Sequence, residues 1–221
     1  NGGSITGNKS SSGSVDGGGV YVSVSTGTFT MTGGRIAENK GNYSGGVYAD
    51  STFTMTGGEI TENSGRMGGG AYVANYGTFT MTGGNITGNS NGSMNAGGGV
   101  YVADGGKFNL TRDGSITGNK NKSSNGGAGV YIADNGTFTM DGGDITGNVN
   151  TSSNSGAGVY VAQNGAFTIN GGVITGNENR ASSYSGGGVY INSGTFTTND
   201  GKITENTSKS YGGGVYIYAS Y

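Results

Sequence analysis

The sequence contains no cysteine, no histidine, no proline and no tryptophan. Without cysteine there is no disulfide framework and no thiolate metal site. Without histidine or cysteine, the commonest base and nucleophile pairs of covalent catalysis are missing. The lack of proline, and of any three-residue glycine period, excludes a collagen helix even though 52 of the 221 residues are glycine. Charge is scarce too: 11 Lys and Arg against 13 Asp and Glu leave a net charge of −2. The cations are scattered, with no basic stripe to neutralise phosphates, so no nucleic-acid partner is expected. No run of about 18 apolar residues exists, so no membrane-spanning helix is expected. No signal peptide, cofactor or metal is expected either. The reading is of a chain that is not an enzyme.

What the chain has is repetition, which excludes simple low-complexity disorder because apolar residues recur at fixed places. A Gly-Val-Tyr-Val phrase and its variants place Tyr21, Tyr48, Tyr72, Tyr101, Tyr131, Tyr160, Tyr190 and Tyr216 at separations of 27, 24, 29, 30, 29, 30 and 26 residues. A Thr-Phe-Thr-Met-Thr phrase follows, carrying Phe29, Phe53, Phe79, Phe108, Phe138, Phe167 and Phe196. An Ile-Thr-Gly-Asn or Ile-Thr-Glu-Asn phrase carries Ile5, Ile36, Ile60, Ile86, Ile116, Ile145, Ile174 and Ile203. Each phrase alternates with period two, the signature of a strand. Glycine pairs such as Gly33–Gly34 separate the second strand from the third, where positive φ allows a sharp turn.

Three short strands per repeat of 24 to 30 residues are too few for a propeller blade of about 40 residues and suit one coil of a solenoid. The expected fold is all-β: a right-handed parallel β-helix of about eight coils with three short strands per coil, forming one repeat domain over residues 1–221. Its core would be columns of valine, phenylalanine, methionine and isoleucine. Phe-to-Ile spacing is seven residues in six repeats and eight in the other, and Ile-to-Asn is always three. Asn to the next Tyr varies from 9 to 13, so projecting loops are expected at that corner, at 9–16, 90–96, 120–126 and 178–185.

Four sets of residues stand out. Asn8, Asn39, Asn63, Asn89, Asn119, Asn148, Asn177 and Asn206 close the third strand; stacked in register, their amides would form a structural ladder, with each Asn itself tolerating the bend. The eight tyrosines are expected to face outward on the same side as the glycine two residues earlier. There they would form either a self-stacked column or a flat platform for sugar rings or a partner protein. Thr28, Thr30, Thr32, Thr52, Thr54, Thr56, Thr78, Thr80 and Thr82 would make a three-by-three outward grid, interrupted further on by Lys107, Asp141 and Ala166. Asp104 and Asp134, three residues after their tyrosines, would stack as neighbouring carboxylates able to hold Ca²⁺ or serve as acid and base. Asn42, Asn91, Asn121 and Asn150 head exposed-looking Asn-x-Ser/Thr sequons.

"GGVY" at 45–48, "GGAY" at 69–72 and "GAGVY" at 127–131, paired with Ile-x-x-Asn phrases such as "ITEN" at 60–63, resemble the Gly-Gly-Ala-Ile plus Phe-x-x-Asn repeat of polymorphic outer-membrane autotransporters. They are similar also to repeats of large adhesin-like β-helix proteins of bacteria and methanogens. Ile stands where that repeat has Phe. The resemblance implies an extracellular or cell-surface adhesin segment, gripping a host or neighbouring-cell protein or glycan, and carries over no catalytic residue. The chain begins and ends inside repeat units, so a segment of a longer chain is expected. Unpaired coil edges at both ends point to end-to-end self-association as a filament or structural rod. The Thr-x-Thr grid resembles those of β-helical ice-binding proteins and offers an alternative function. A polysaccharide-active enzyme using the Asp104–Asp134 pair is a third.

Overall fold

A computed structural model of the chain describes residues 2–11, 16–24, 27–93 and 95–219. The expected loops at 9–16 and 90–96 therefore fall partly outside the described residues. All described regular structure is strand, and every strand pair is parallel, in register coil upon coil. No described helix is long and apolar enough to cross a membrane.

The eight tyrosine strands stack in one sheet, from Val20–Val22 through Val100–Val102 to Val215–Tyr218. Identical residues pair: Tyr101 lies beside Tyr72 on one side and Tyr131 on the other. The phenylalanine and isoleucine phrases share a second sheet of 11 strands. The chain thus winds as a β-solenoid of about seven turns, about 34 Å long at ~4.8 Å per turn.

Two features depart from three separate strands per coil. In four coils the phenylalanine and isoleucine strands run together as Thr78–Thr87, Lys107–Thr117, Thr137–Thr146 and Ala166–Thr175. The glycine pair bends them rather than ending them: Gly84 adopts φ +89° and Gly172 φ +89°, a region that costs glycine nothing. The coil with the eight-residue spacing absorbs its extra residue here, where Arg112 takes φ +50° and the register beside Thr78–Thr87 slips after Met81. The second departure is an added two-residue strand after six of the eight ladder asparagines, such as Ser90–Asn91 and Lys120–Asn121, forming a small sheet of six; two coils add a further short strand, Ser155–Gly156 paired with Ser185–Gly186.

The interior is the set of columns the alternation predicts. Phe53, Phe79, Phe108, Phe138 and Phe167 are completely buried, with ring centroids 4.3–4.9 Å apart between successive members. Val100, Leu110 and Ile116 are buried beside them. Burial of each such side chain contributes about 1.5–3 kcal/mol. Towards either end the same columns are only partly buried, at Ile5, Val20, Phe29, Phe196, Ile203 and Val215.

At the corner, the asparagine ladder is continuous. The Asn119 carboxamide nitrogen donates to the Ile86 carbonyl at 2.9 Å and to Asn148 Oδ1 at 3.0 Å. Its Oδ1 accepts from the Asn89 backbone N–H and from Asn89 Nδ2, both at 3.0 Å. The pattern repeats from Asn8 to Asn206. The left-handed bend belongs to the residue before each asparagine, not to the asparagine as expected: Gly88 and Gly118 take φ +64° and +62°, and Glu38 and Glu62 take φ +56°. The asparagine backbone is thereby free to donate along the ladder.

Asn119→Ala would leave the buried Asn89 N–H without its acceptor and Asn148 Oδ1 short of a donor. At about 1–3 kcal/mol for each such group, urea unfolding should show a loss of about 2–6 kcal/mol. Thr80→Ala, on the outer face, should cost no more than about 0.5 kcal/mol. Equal losses for the two variants would contradict the ladder's role.

Candidate binding surfaces

Two of the three threonine rows pair in register. Thr28, Thr52 and Thr78 lie side by side, as do Thr30, Thr54 and Thr80. Thr28, Thr30, Thr32, Thr52 and Thr56 are exposed; Thr54, Thr78, Thr80 and Thr82 are half-buried. The register then brings Lys107 beside Thr78 and Asn109 beside Thr80, and Ala166 beside Thr137. Further along, Asp141 accepts a bond from Asn170 at 2.7 Å, and Asn170 accepts one from Asn199 at 2.7 Å. The hydroxyl-and-methyl surface therefore spans three coils before charge and amides replace it.

The tyrosines occupy the opposite side of their strand from the valines, as expected, but they are not exposed. Tyr48, Tyr72, Tyr101, Tyr131, Tyr160 and Tyr190 are 2–8% accessible; Tyr21, at 48%, is the open member. Successive rings from Tyr21 to Tyr190 stack face to face at 4.8–5.1 Å with interplanar angles of 4–18°. Tyr216 tilts away from Tyr190 by 54°. The column forms a second apolar cluster with Ala74, Ala103 and Ala162. Part of the variable corner, expected to project, folds back on it: Tyr43 sets its ring edge-on to Tyr48 and Tyr72, and Met67 packs alongside. Each ring face is occupied by the next ring, so the middle coils offer no flat platform. The expected partner on the tyrosine face is also different. A Cβ on Gly99 would lie 3.0 Å from Asn119 Nδ2 and 3.1 Å from the Ile116 side chain, so that glycine column abuts the asparagine ladder.

The sequon asparagines bring a further correction. Asn91, Asn121 and Asn150 are at most 2% accessible and, with Asn179, form a second amide ladder with bonds of 2.7, 2.6 and 2.9 Å. Buried amides are poor glycosylation acceptors; Asn42, half-buried, lies outside this ladder. The ladder stops where Gly65 replaces asparagine, and Asn91 Oδ1 has no hydrogen-bond partner there. The signal was present in the sequence as Asn-x-Asn at 89–91, 119–121, 148–150 and 177–179. Asp104 and Asp134 sit on exposed turns, where Asp104 accepts a bond from Asn135 at 3.1 Å. No cluster of three or more acidic side chains able to hold a metal occurs among the described residues.

Comparison of the chain with known protein families, with curated proteins and with solved structures gives no match.

Burial of the tyrosine column acts first on its phenols. Desolvation, then the neighbouring tyrosines, raises Tyr48, Tyr131 and Tyr190 above the ordinary value and pushes Tyr72 up to about 12. A raised pKa means the folded state prefers the protonated phenol. This contribution is complete below the unfolded value of 10.0 and is lost as pH rises through the folded values. Melting temperature should therefore hold steady up to about pH 10 and fall above it, with the ladder tyrosinates appearing together with unfolding. Ionisation of the six buried ladder rings, Tyr48, Tyr72, Tyr101, Tyr131, Tyr160 and Tyr190, near pH 10 in a chain with unchanged circular dichroism would contradict their burial.

Proposed function

We propose that the chain is a non-catalytic segment of an extracellular β-solenoid rod, serving as a cell-surface adhesin segment or structural spacer. One observation carries this reading: the contact between neighbouring coils is nearly the same at every step. Valine, phenylalanine, isoleucine, tyrosine and asparagine each meet their own kind in register. Such an arrangement extends by adding coils and holds surface residues at fixed intervals, which is what a spacer or adhesive stalk requires. The likeness of the repeats to surface autotransporter and adhesin-like repeats supports an extracellular location. A surface protein or glycan of a neighbouring cell is the partner class this reading implies.

The in-register threonines over three coils favour one second reading, ice binding. Both readings are tested together. Beads coated with the chain should adhere to cell monolayers, and Asp104→Asn should leave adhesion unchanged. Under the rod reading the soluble chain should not restrain ice recrystallisation. Inhibition of recrystallisation that Thr54→Tyr abolishes would replace adhesion with ice binding. Polysaccharide cleavage lost in Asp104→Asn would replace both with catalysis.

A further inference from the structure

The last two coils break the repeat at tyrosines that come together in space. Six residues before a ladder tyrosine, three coils carry Asn95, Asn125 and Asn154 in left-handed backbone, at φ +53°, +55° and +53°. The next coil puts Tyr184 there, at φ +45°. Two residues after the ladder tyrosine, four coils carry alanine (Ala74, Ala103, Ala133 and Ala162). The last two coils carry Asn192 and Tyr218 instead, paired with each other across the strands. The Tyr184 ring lies 6.0 Å from that of Tyr218 at 72°, and 5.7 Å from that of Tyr211 at 38°. Tyr184, Tyr211 and Tyr218 are 46%, 54% and 40% accessible, unlike the ladder rings.

Beside Tyr184 and Tyr218 is an open cleft of about 320 Å³, lined also by Asn125, Asn154, Tyr190 and Asn192. That is at the lower end of the roughly 300–1,000 Å³ of small-ligand sites. Asn192 is held in place, its Nδ2 donating to the Tyr160 hydroxyl at 3.0 Å. Left-handed backbone suits asparagine and disfavours a bulky side chain. The fold makes that turn with asparagine three times, so the ring at Tyr184 is not there to make the turn. Residues in disfavoured backbone regions cluster at functional sites.

We propose that this cleft, where exposed Tyr184 and Tyr218 meet the carboxamides of Asn125, Asn154 and Asn192, binds a neutral sugar ring of a glycan. A pyranose has an apolar C–H face that stacks on an aromatic ring. Its hydroxyls both donate and accept, as a carboxamide does. None of the six lining residues is charged, so an anion finds no cation and a metal ion finds no carboxylate. An apolar peptide side chain would cover the amides without bonding them, which is costly. The inference deepens the adhesin reading and rests on it for the partner class, but the fold does not depend on it: a rod that binds no sugar is still a rod.

The test is calorimetric titration of the whole chain with cellopentaose and chitopentaose as neutral probes and a galacturonate oligomer as the anionic control. Tyrosine fluorescence gives a second readout, since there is no tryptophan. Saturable binding of at least one neutral probe is expected. Tyr184→Asn restores the residue used by three other coils and should weaken binding about tenfold or more. Tyr218→Ala likewise restores the repeat and should weaken it, whereas Tyr184→Phe should stay within about threefold of the parent. The melting temperature of Tyr184→Asn should equal or exceed the parent's, which separates lost binding from lost fold. The proposal is overturned by no saturable response to either neutral probe, by undiminished affinity in Tyr184→Asn, or by preference for the galacturonate oligomer.

Discussion

A carboxamide buried in a protein corner has two N–H groups and an oxygen to satisfy, and desolvation makes each one costly if left alone. Here the solution is another carboxamide in the same orientation one coil away. Asn63 bonds to Asn89, Asn89 to Asn119, and Asn119 to Asn148, while each also reaches back to an isoleucine carbonyl. That constraint reaches into the rest of the molecule. It holds the coils in register, because a shift of one residue would turn an asparagine outward and an isoleucine with it. It explains why Ile-to-Asn spacing never varies while the following corner does. It also accounts for the glycines next to the ladder, since a Cβ at Gly99 or Gly129 would sit 2.5–2.6 Å from a carbonyl of the next coil and about 3 Å from the ladder amide.

Much of the architecture is legible in the residues. Period-two alternation within each phrase, and a fixed separation between phrases, identify the strands, the inward columns and the first asparagine ladder without recourse to coordinates. What lies outside the solenoid core is less legible, because alternation tells which side of a strand a residue takes and not what covers that side. The tyrosines show this. Their position opposite the valines follows from the pattern, but their burial depends on the spacing of coils, which brings ring upon ring, and on Tyr43 and Met67 folding over them. The second ladder shows a different limit. Asn91, Asn121 and Asn150 lie in the corner of variable length, and polar residues in such a corner read as solvent-exposed loop. Their burial becomes evident only when the Asn-x-Asn interval is read as two adjoining corner columns.

In a molecule this regular, function is best sought where the repeat is broken. Most substitutions between coils are tolerant exchanges on the outer face, as where Lys107 and Ala166 enter the threonine rows. The aromatic departures at Tyr184 and Tyr218 are of another kind: with Tyr211 they concentrate exposed rings at one place, and Tyr184 puts a bulky residue where three other coils use asparagine. The stacked interior supplies a rigid support for such a site, since Tyr190 and Asn192 are held by the same strand that carries the tyrosine ladder.

The central claim is that stacked amides hold the coils together as one continuous structure. Native-state hydrogen exchange of the ladder asparagine backbone N–H groups tests it most directly. These groups donate to side-chain oxygens rather than to backbone carbonyls. The account predicts that those of Asn63, Asn89, Asn119 and Asn148 exchange only through global unfolding, as slowly as the amides of the central strands. Exchange as fast as that of the exposed corner residues would show that the amide ladder does not bind coil to coil, and would contradict the account.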